Sequence, residues 1–120
     1  TYTTRSGSYV KIGKLVFVDG DIQLSSKGSN TGNVKIEGLP FTIYDRTGGT
    51  SLDGGASLCA FQGGTNGNIY NPIGLTGTGG TTDIQMYIAT SSGANISSNL
   101  TNTKITDSFS IRFSLTYRIA

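Results

Sequence analysis

Residues 108–119 read SFSIRFSLTYRI, and this stretch decides the fold because apolar and polar residues alternate in it at every position. A period of two puts successive side chains on opposite faces of a β-strand. We therefore predict a strand over Ser108–Ile119 with one face in the core, since a slip of one residue would expose its whole apolar row. That row consists of Phe109, Ile111, Phe113, Leu115, Tyr117 and Ile119. The opposite face carries Arg112 and Arg118 among serine and threonine residues.

Shorter runs of the same alternation, divided by glycine-rich turns, recur along the rest of the chain. They predict strands over residues 9–12, 14–24, 34–39, 58–61, 68–75 and 83–90, with residues 41–43 continuing on an edge or a bend. The apolar positions of residues 14–24 change phase across Asp19-Gly20-Asp21, which predicts a β-bulge or bend at Gly20. Residues 45–55 and 76–80 are predicted as loops. About seven or eight such strands indicate an all-β fold, an antiparallel β-sandwich that is jelly-roll-like.

Composition limits the classes of partner. The 120 residues are expected to form a single domain, residues 1–120, belonging to a longer chain. Nine basic and seven acidic residues are dispersed, unlike a nucleic-acid-binding surface, so no nucleic acid is expected as a partner. No apolar window approaches the roughly 18 residues of a membrane span, so membrane insertion is not expected. The single Cys59 is predicted to be a small buried apolar side chain, and without disulfides a small core favours oligomerisation.

The chain contains no histidine, which removes the commonest general base and metal ligand. We therefore predict no catalytic residue, no metal site and no cofactor, and a protein that is not an enzyme. Asp19 and Asp21 would share a face of a regular strand, as the carboxylates of a glycosidase do, although a solvated bend is the favoured interpretation. Asp45 and Asp53 bracket the glycine-rich loop but lack the further oxygen ligands of a typical calcium site.

Tyrosines beside amide and charged side chains are the candidates for a binding surface. An aromatic ring stacks on the apolar face of a sugar while amides and carboxylates hydrogen-bond its hydroxyl groups. The candidate glycan-binding residues are Tyr44, Asp45, Arg46, Tyr70, Asn71 and Tyr87. The alternative is that these rings cover the ends of the sandwich or pack in a subunit interface.

Three segments of the chain carry a further signal. Residues 2–16 read YTTRSGSYVKIGKLV and are followed by Gly20-Asp21-Ile22, residues 34–41 read VKIEGLPF, and residues 107–113 read DSFSIRF. In this order they resemble the opening, the Ile-x-Gly-Leu-Pro-Phe motif and the closing strand of C-terminal domains of bacteriophage tail fibres and tailspikes. The three segments together span nearly the whole chain.

The resemblance implies a homotrimeric β-sandwich head at the tip of a tail fibre or tailspike, on the outside of the virion. Such a head holds three chains together and contacts the host cell surface, commonly a polysaccharide or lipopolysaccharide. Arg112 and Arg118 are then candidate trimer contacts, because arginine is enriched at interfaces, the alternative being a solvent-facing sheet. Two other functions stay open: a free-standing carbohydrate-binding module of a bacterial enzyme, and a small glycosidase or esterase.

Overall fold

A computed structural model describes residues 1–46, 48, 52–64, 70–89, 91 and 98–120, and for residues 52–60 and 70–76 the backbone alone. Its strands are β1 (Tyr2–Ile12), β2 (Leu15–Leu24), β3 (Lys35–Glu37), β4 (Leu52–Gly64), β5 (Tyr70–Thr78), β6 (Asp83–Ala89), β7 (Ser98–Asn99) and β8 (Ile105–Arg118). A single turn of 3₁₀ helix, Asn102–Lys104, precedes β8. No helix in this part of the chain is long and apolar enough to cross a membrane.

The eight strands belong to one sheet whose order is β1-β2-β8-β4-β5-β6-β3, with β7 also paired to β6. Every pair is antiparallel, so the prediction of an all-β antiparallel domain is confirmed. The strand with the clearest alternation, β8, pairs with β2 on one side and with β4 on the other. β1 forms one edge of the sheet, and β3 and β7, both paired to β6, lie along the other.

The core lies along the inward face of β8, as predicted. Ile111 and Leu115 are almost completely buried, and only the last residue of the predicted row, Ile119, is partly exposed. The inward row of β6 packs into the same core, together with residues from β2, β3 and the connecting segments. The buried residues outside β8 include Val16, Ile36, Leu39, Ile43, Ile84, Met86, Ile88 and Leu100.

Tyr117 is the last buried residue of the inward row of β8. Its hydroxyl accepts a hydrogen bond from the backbone N–H of Phe41 (3.3 Å). Burial raises the pKa of Tyr117.

The predicted bulge or bend at Gly20 is wrong. β2 pairs with β8 without interruption, from Asp19 opposite Ser114 to Asp21 opposite Arg112. The glycine is required by packing, because a Cβ at Gly20 would lie 2.5 Å from Cζ of Phe113. The apolar residues change phase because both faces of β2 carry them: Val16, Val18, Ile22 and Leu24 lie on the inward face, and Leu15 and Phe17 on the outward face.

Other element boundaries also differ from the prediction. β1 begins at Tyr2 because its pairing with β2 continues to Leu24. β4 and β5 reach Leu52 and Thr78, which are paired, so the predicted loops 45–55 and 76–80 are shorter than expected. Residues 41–43 form no strand in the described structure, and the N–H of Ile43 instead donates to the carbonyl of Thr81 (2.9 Å). The side chain of Cys59 lies outside the described residues.

Candidate functional site

A groove with a volume of about 1410 Å³ runs between β1 on one side and residues 29–40 on the other. Its floor is the inward face of β2 and β8, where it reaches Ile22, Leu24, Ile111 and Phe113. Ile22 and Leu24 are only partly buried, so this apolar floor is accessible from solvent. A concave surface with an apolar floor and polar walls is the usual form of a ligand-binding site.

The β1 wall presents two exposed aromatic rings and one cation to this groove. Tyr2 and Tyr9 are 54% and 53% exposed, and both line it. An irregularity in the register between Tyr2 and Thr4 brings Tyr2 to the same face as Arg5, whose guanidinium lies 5.3 Å from the centre of the Tyr2 ring. At about 3.3 Å per residue, the two tyrosines are roughly 20 Å apart along the strand.

Tyr9 also helps to hold the two walls together. Its ring meets the Phe41 ring edge to face, with centroids 5.6 Å apart and an interplanar angle of 87°. The ammonium of Lys11 lies 5.2 Å from the centre of the same Phe41 ring. The groove is therefore bridged at the Tyr9 end, where the strand edge meets the segment that follows β3.

The opposite wall is tied to the start of β8 by hydrogen bonds. The ammonium of Lys27 donates to the carbonyls of Asn102 and Ile105 (both 3.1 Å), and its backbone N–H donates to Oδ1 of Asp107 (3.0 Å). Gly32 and Asn102 exchange two bonds, one from the Gly32 N–H to Asn102 Oδ1 (3.1 Å) and one from the Asn102 N–H to the Gly32 carbonyl (3.0 Å). These bonds fix the segment that carries Asn30 and Asn33 into the groove lining.

The cations of the groove differ in what they contact. Lys35 on β3 is paired with the carboxylates of Glu37 and Asp83, the latter at 3.1 Å. These hydrogen bonds, first that of Glu37 and then that of Asp83, raise the pKa of Lys35. Arg5 instead contacts a ring, and no carboxylate in the described part of the chain pairs with it. Arg5 is therefore available to an acidic group of a ligand.

Among the residues predicted as glycan-binding, the first three lie beyond the C-terminal end of β8. The N–H of Tyr44 donates to the carbonyl of Arg118 (2.8 Å), and the Arg118 guanidinium lies 4.8 Å from the centre of the Tyr44 ring. Oδ1 of Asp45 accepts a hydrogen bond from the N–H of Gly48 (2.9 Å), and Arg46 follows on the exposed surface.

The remaining glycan candidates lie elsewhere. Tyr87 is opposite Gly74 and Asn99, and Tyr70 is opposite Ala89. These pairs lie toward the C-terminal end of β6, whereas Ile43 is hydrogen-bonded to Thr81, just before the N-terminal end of β6. The side chains of Tyr70 and Asn71 lie outside the described residues. Thr81, which is bonded to the neighbour of Tyr44, lies six residues before Tyr87. At about 3.3 Å per residue, Tyr44 and Tyr87 are therefore roughly 20 Å apart. Among the candidates whose side chains the structure describes, Tyr44, Asp45 and Arg46 lie apart from Tyr87, and none of these four lines the groove.

The outward face of the sheet holds the other predicted residues. Nε of Arg112 donates to Oδ2 of Asp21 (2.8 Å), and the hydroxyl of Ser8 donates to Oδ1 of Asp19 (2.7 Å). Because β2 is unbroken, the two aspartates share a face of the strand, but each accepts a hydrogen bond from a side chain of an adjacent strand. Among the described residues no three His, Cys, Asp or Glu side chains are grouped as a metal site requires.

The groove residues Tyr2, Arg5 and Tyr9 were missed by sequence reasoning. No local pattern pointed to all three, because Tyr2 and Tyr9 are seven residues apart and share a face only through the register irregularity between Tyr2 and Thr4. Comparison of the chain with protein-family models, with curated proteins and with solved structures finds no match.

Proposed function

We propose that this chain is the head domain of a viral tail fibre or tailspike and that its groove binds a host-surface polysaccharide or lipopolysaccharide. The observation that carries the binding proposal is the pair of exposed tyrosines with Arg5 along one wall of the groove. The three motifs of residues 2–16, 34–41 and 107–113 support the viral assignment. In this proposal the domain is a jelly-roll-like sandwich in a homotrimer on the outside of the virion.

The groove suits an extended sugar chain. The rings of Tyr2 and Tyr9 offer faces on which sugar rings stack, and the amides of Asn30 and Asn33 offer donors and acceptors for hydroxyl groups. Arg5 supplies a planar cation for a carboxylate or phosphate, both of which occur in bacterial surface glycans. The rings are spaced for several sugar units, since they are roughly 20 Å apart along an extended strand.

In this proposal the sugar is bound without being cleaved. The carboxylates that could serve as an acid and base pair, Asp19 and Asp21, lie on the outward face of the sheet, and each accepts a hydrogen bond from a neighbouring side chain. Incubation with a bound polysaccharide should therefore release no new reducing ends. Release of reducing ends that is lost in Asp21→Asn would overturn this part of the proposal.

The test is a glycan array of bacterial lipopolysaccharides and capsular polysaccharides, followed by titration of the best ligand. Replacing Tyr2 by Ala should weaken binding about tenfold, because a ring that is buried by a ligand commonly contributes more than 1 kcal/mol. Tyr44→Ala, outside the groove, is the matched control and should bind as the wild type does. If Tyr44→Ala loses binding and Tyr2→Ala does not, the site lies at the loop after β3 and the groove assignment is wrong.

A free-standing carbohydrate-binding module is the second candidate, because the groove is formed by one chain and is complete without a partner. The two functions differ in assembly. The tail-fibre head predicts a particle of three times the 12.5 kDa chain mass, whereas the module predicts a monomer. Light scattering coupled to size-exclusion chromatography distinguishes them.

A further inference from the structure

Four large apolar side chains lie exposed on the outward face of the β1–β2 hairpin. Val10 is opposite Phe17, and Ile12 is opposite Leu15. Directly opposed residues of an antiparallel pair point to the same side of the sheet, so the four form one continuous patch, here called the outer strip. Their exposed fractions are 59% for Val10, 65% for Ile12, 47% for Leu15 and 43% for Phe17.

The outer strip is large for a surface in contact with water. At these exposed fractions it presents an apolar area on the order of 400 Å², which falls in the range of the largest, often functional patches on soluble proteins. The inward neighbours Val16 and Val18 already supply this hairpin's contribution to the core. The outer strip is not part of this core, and within the single chain its side chains contact each other across the hairpin while about half of their surface stays exposed.

The surroundings of the outer strip resemble the rim of an interface between subunits. On the same face, Phe17 is opposite Thr116 and Leu15 is opposite Arg118 of β8, and Ser8 follows along β1. A standard interface takes about 800 Å² from each partner, with an apolar centre and a polar rim in which arginine is common. The outer strip corresponds to about half of that area, and the polar side chains around it lie where the rim of such an interface would be.

The nearby charges do not oppose contact between two such faces. Asp21 is neutralised by Arg112, Asp19 accepts a hydrogen bond from Ser8, and Arg118 rests on the Tyr44 ring. The strip itself contains no charged residue. Asp19 and Arg118 have no charged partner within the described part of the chain, but they have opposite signs, so adjoining copies can pair them across the contact instead of burying either one alone.

We infer that the outer strip is the surface through which copies of this chain associate, with Arg118 at its rim. The occupant is a second copy because a small domain without disulfides gains stability from association, and because the strip is an apolar centre bordered by polar side chains and by charges of both signs, Asp19 and Arg118, which a second copy can pair. This inference rests on the proposed homotrimer and assigns its contact to β1 and β2.

The experiment compares Ile12→Glu with Thr3→Glu. Both place a carboxylate at an exposed position of β1, but Thr3 is roughly 30 Å from Ile12 along the strand, at 3.3 Å per residue. Sedimentation of the wild type should show a trimer, Ile12→Glu should weaken association at least a hundredfold, and Thr3→Glu should leave it unchanged. Ile12→Thr keeps the β-branched side chain, and it should weaken association about tenfold if the glutamate variant does not fold.

A photo-crosslinking amino acid at position 12 gives a second readout, and it should join copies of the chain where the same label at position 3 does not. A wild-type trimer that is unaffected by Ile12→Glu, or crosslinks from position 3 alone, overturns the inference while leaving the proposed trimer intact. A wild type that stays monomeric at about 100 µM overturns both the inference and the trimeric assembly. Glycan binding by that monomer then favours the carbohydrate-binding module.

Discussion

β8 and the β1–β2 hairpin are adjacent parts of the same sheet, yet they use apolar residues differently. β8 has apolar residues on its inward face and serine, threonine and arginine on its outward face, and its inward row is buried. The hairpin has apolar residues on both faces, and those on the outward face are exposed. A sheet with one apolar face needs one covering layer, whereas a sheet with two needs a cover on each side. The outward apolar residues of the hairpin have no such cover among the described residues, which is why we infer that they form an association surface.

The largest expected effect is on the free energy of unfolding, which should fall much more when a buried isoleucine is truncated than when an exposed isoleucine is. Ile111→Ala should lower the free energy of unfolding by about 2 to 5 kcal/mol, because it leaves a cavity at a fully buried position of β8. Ile12→Ala should change it by less than about 0.5 kcal/mol when the chain is dilute enough to be monomeric. Urea denaturation measures both values. Equal losses in the dilute monomer would show that the outer strip is packed within its own chain.

A smaller effect is expected at the two glycines that face each other across β1 and β2. Gly20→Ala should cost about 1 to 3 kcal/mol, because the added Cβ would overlap the Phe113 ring. Gly7→Ala should cost less than about 1 kcal/mol, since its Cβ would lie 3.1 Å from the Asp19 carbonyl oxygen and 3.8 Å from the Cα of Gly20, without the overlap found at Gly20. Thermal unfolding of both variants measures the difference.

The Gly20 prediction has an internal control. If the cost comes from the ring, Gly20→Ala in a Phe113→Leu background should cost less than in the wild type, so that the two losses do not add. Strictly additive losses would mean that Gly20 is needed for its backbone and not for the space that it leaves to Phe113.

The smallest effect is expected at the link between the two regions, the ion pair of Asp21 and Arg112. The Arg112 side chain is 66% exposed, so the pair is screened by water and should contribute only about 0.2 to 1 kcal/mol. A double-mutant cycle with Asp21→Ala and Arg112→Ala measures this coupling, which should shrink in about 1 M salt. A coupling above about 2 kcal/mol that salt does not change would place the pair in a buried environment.

Sequence alone was sufficient for the elements in which one face is apolar. β8 was predicted with the correct inward row, and β6 was predicted within one residue of its bounds, because polar residues alternate with apolar ones in both. β2 was misread because Leu15 and Phe17 are as apolar as Ile22 and Leu24, and a pattern that is apolar on both faces has no single phase. The interruption was assigned to Gly20, whose actual role depends on Phe113, a residue 93 positions away in the sequence.

The groove was beyond sequence reasoning for a different reason. Its walls are the edges of the sheet, and which strands become edges is decided by pairings between distant parts of the chain. Tyr2 and Tyr9 become a wall only because β1 has one partner, and Asn33 faces them only because its segment is bound to the residues before β8. Local periodicity carries no information about either arrangement.

The position of β8 has a consequence for how the chain folds. β1–β2 and β5–β6 are hairpins that close over a few residues, but in the strand order the two halves of the sheet are joined by β8, whose Arg112 lies 91 positions from Asp21. Contacts over such distances in sequence are formed late and make folding slow. Until β8 inserts, one edge of β2 and one edge of β4 have no partner and are able to pair with other chains. Insertion of β8 is therefore both the step that completes the sheet and the step that protects it from aggregation.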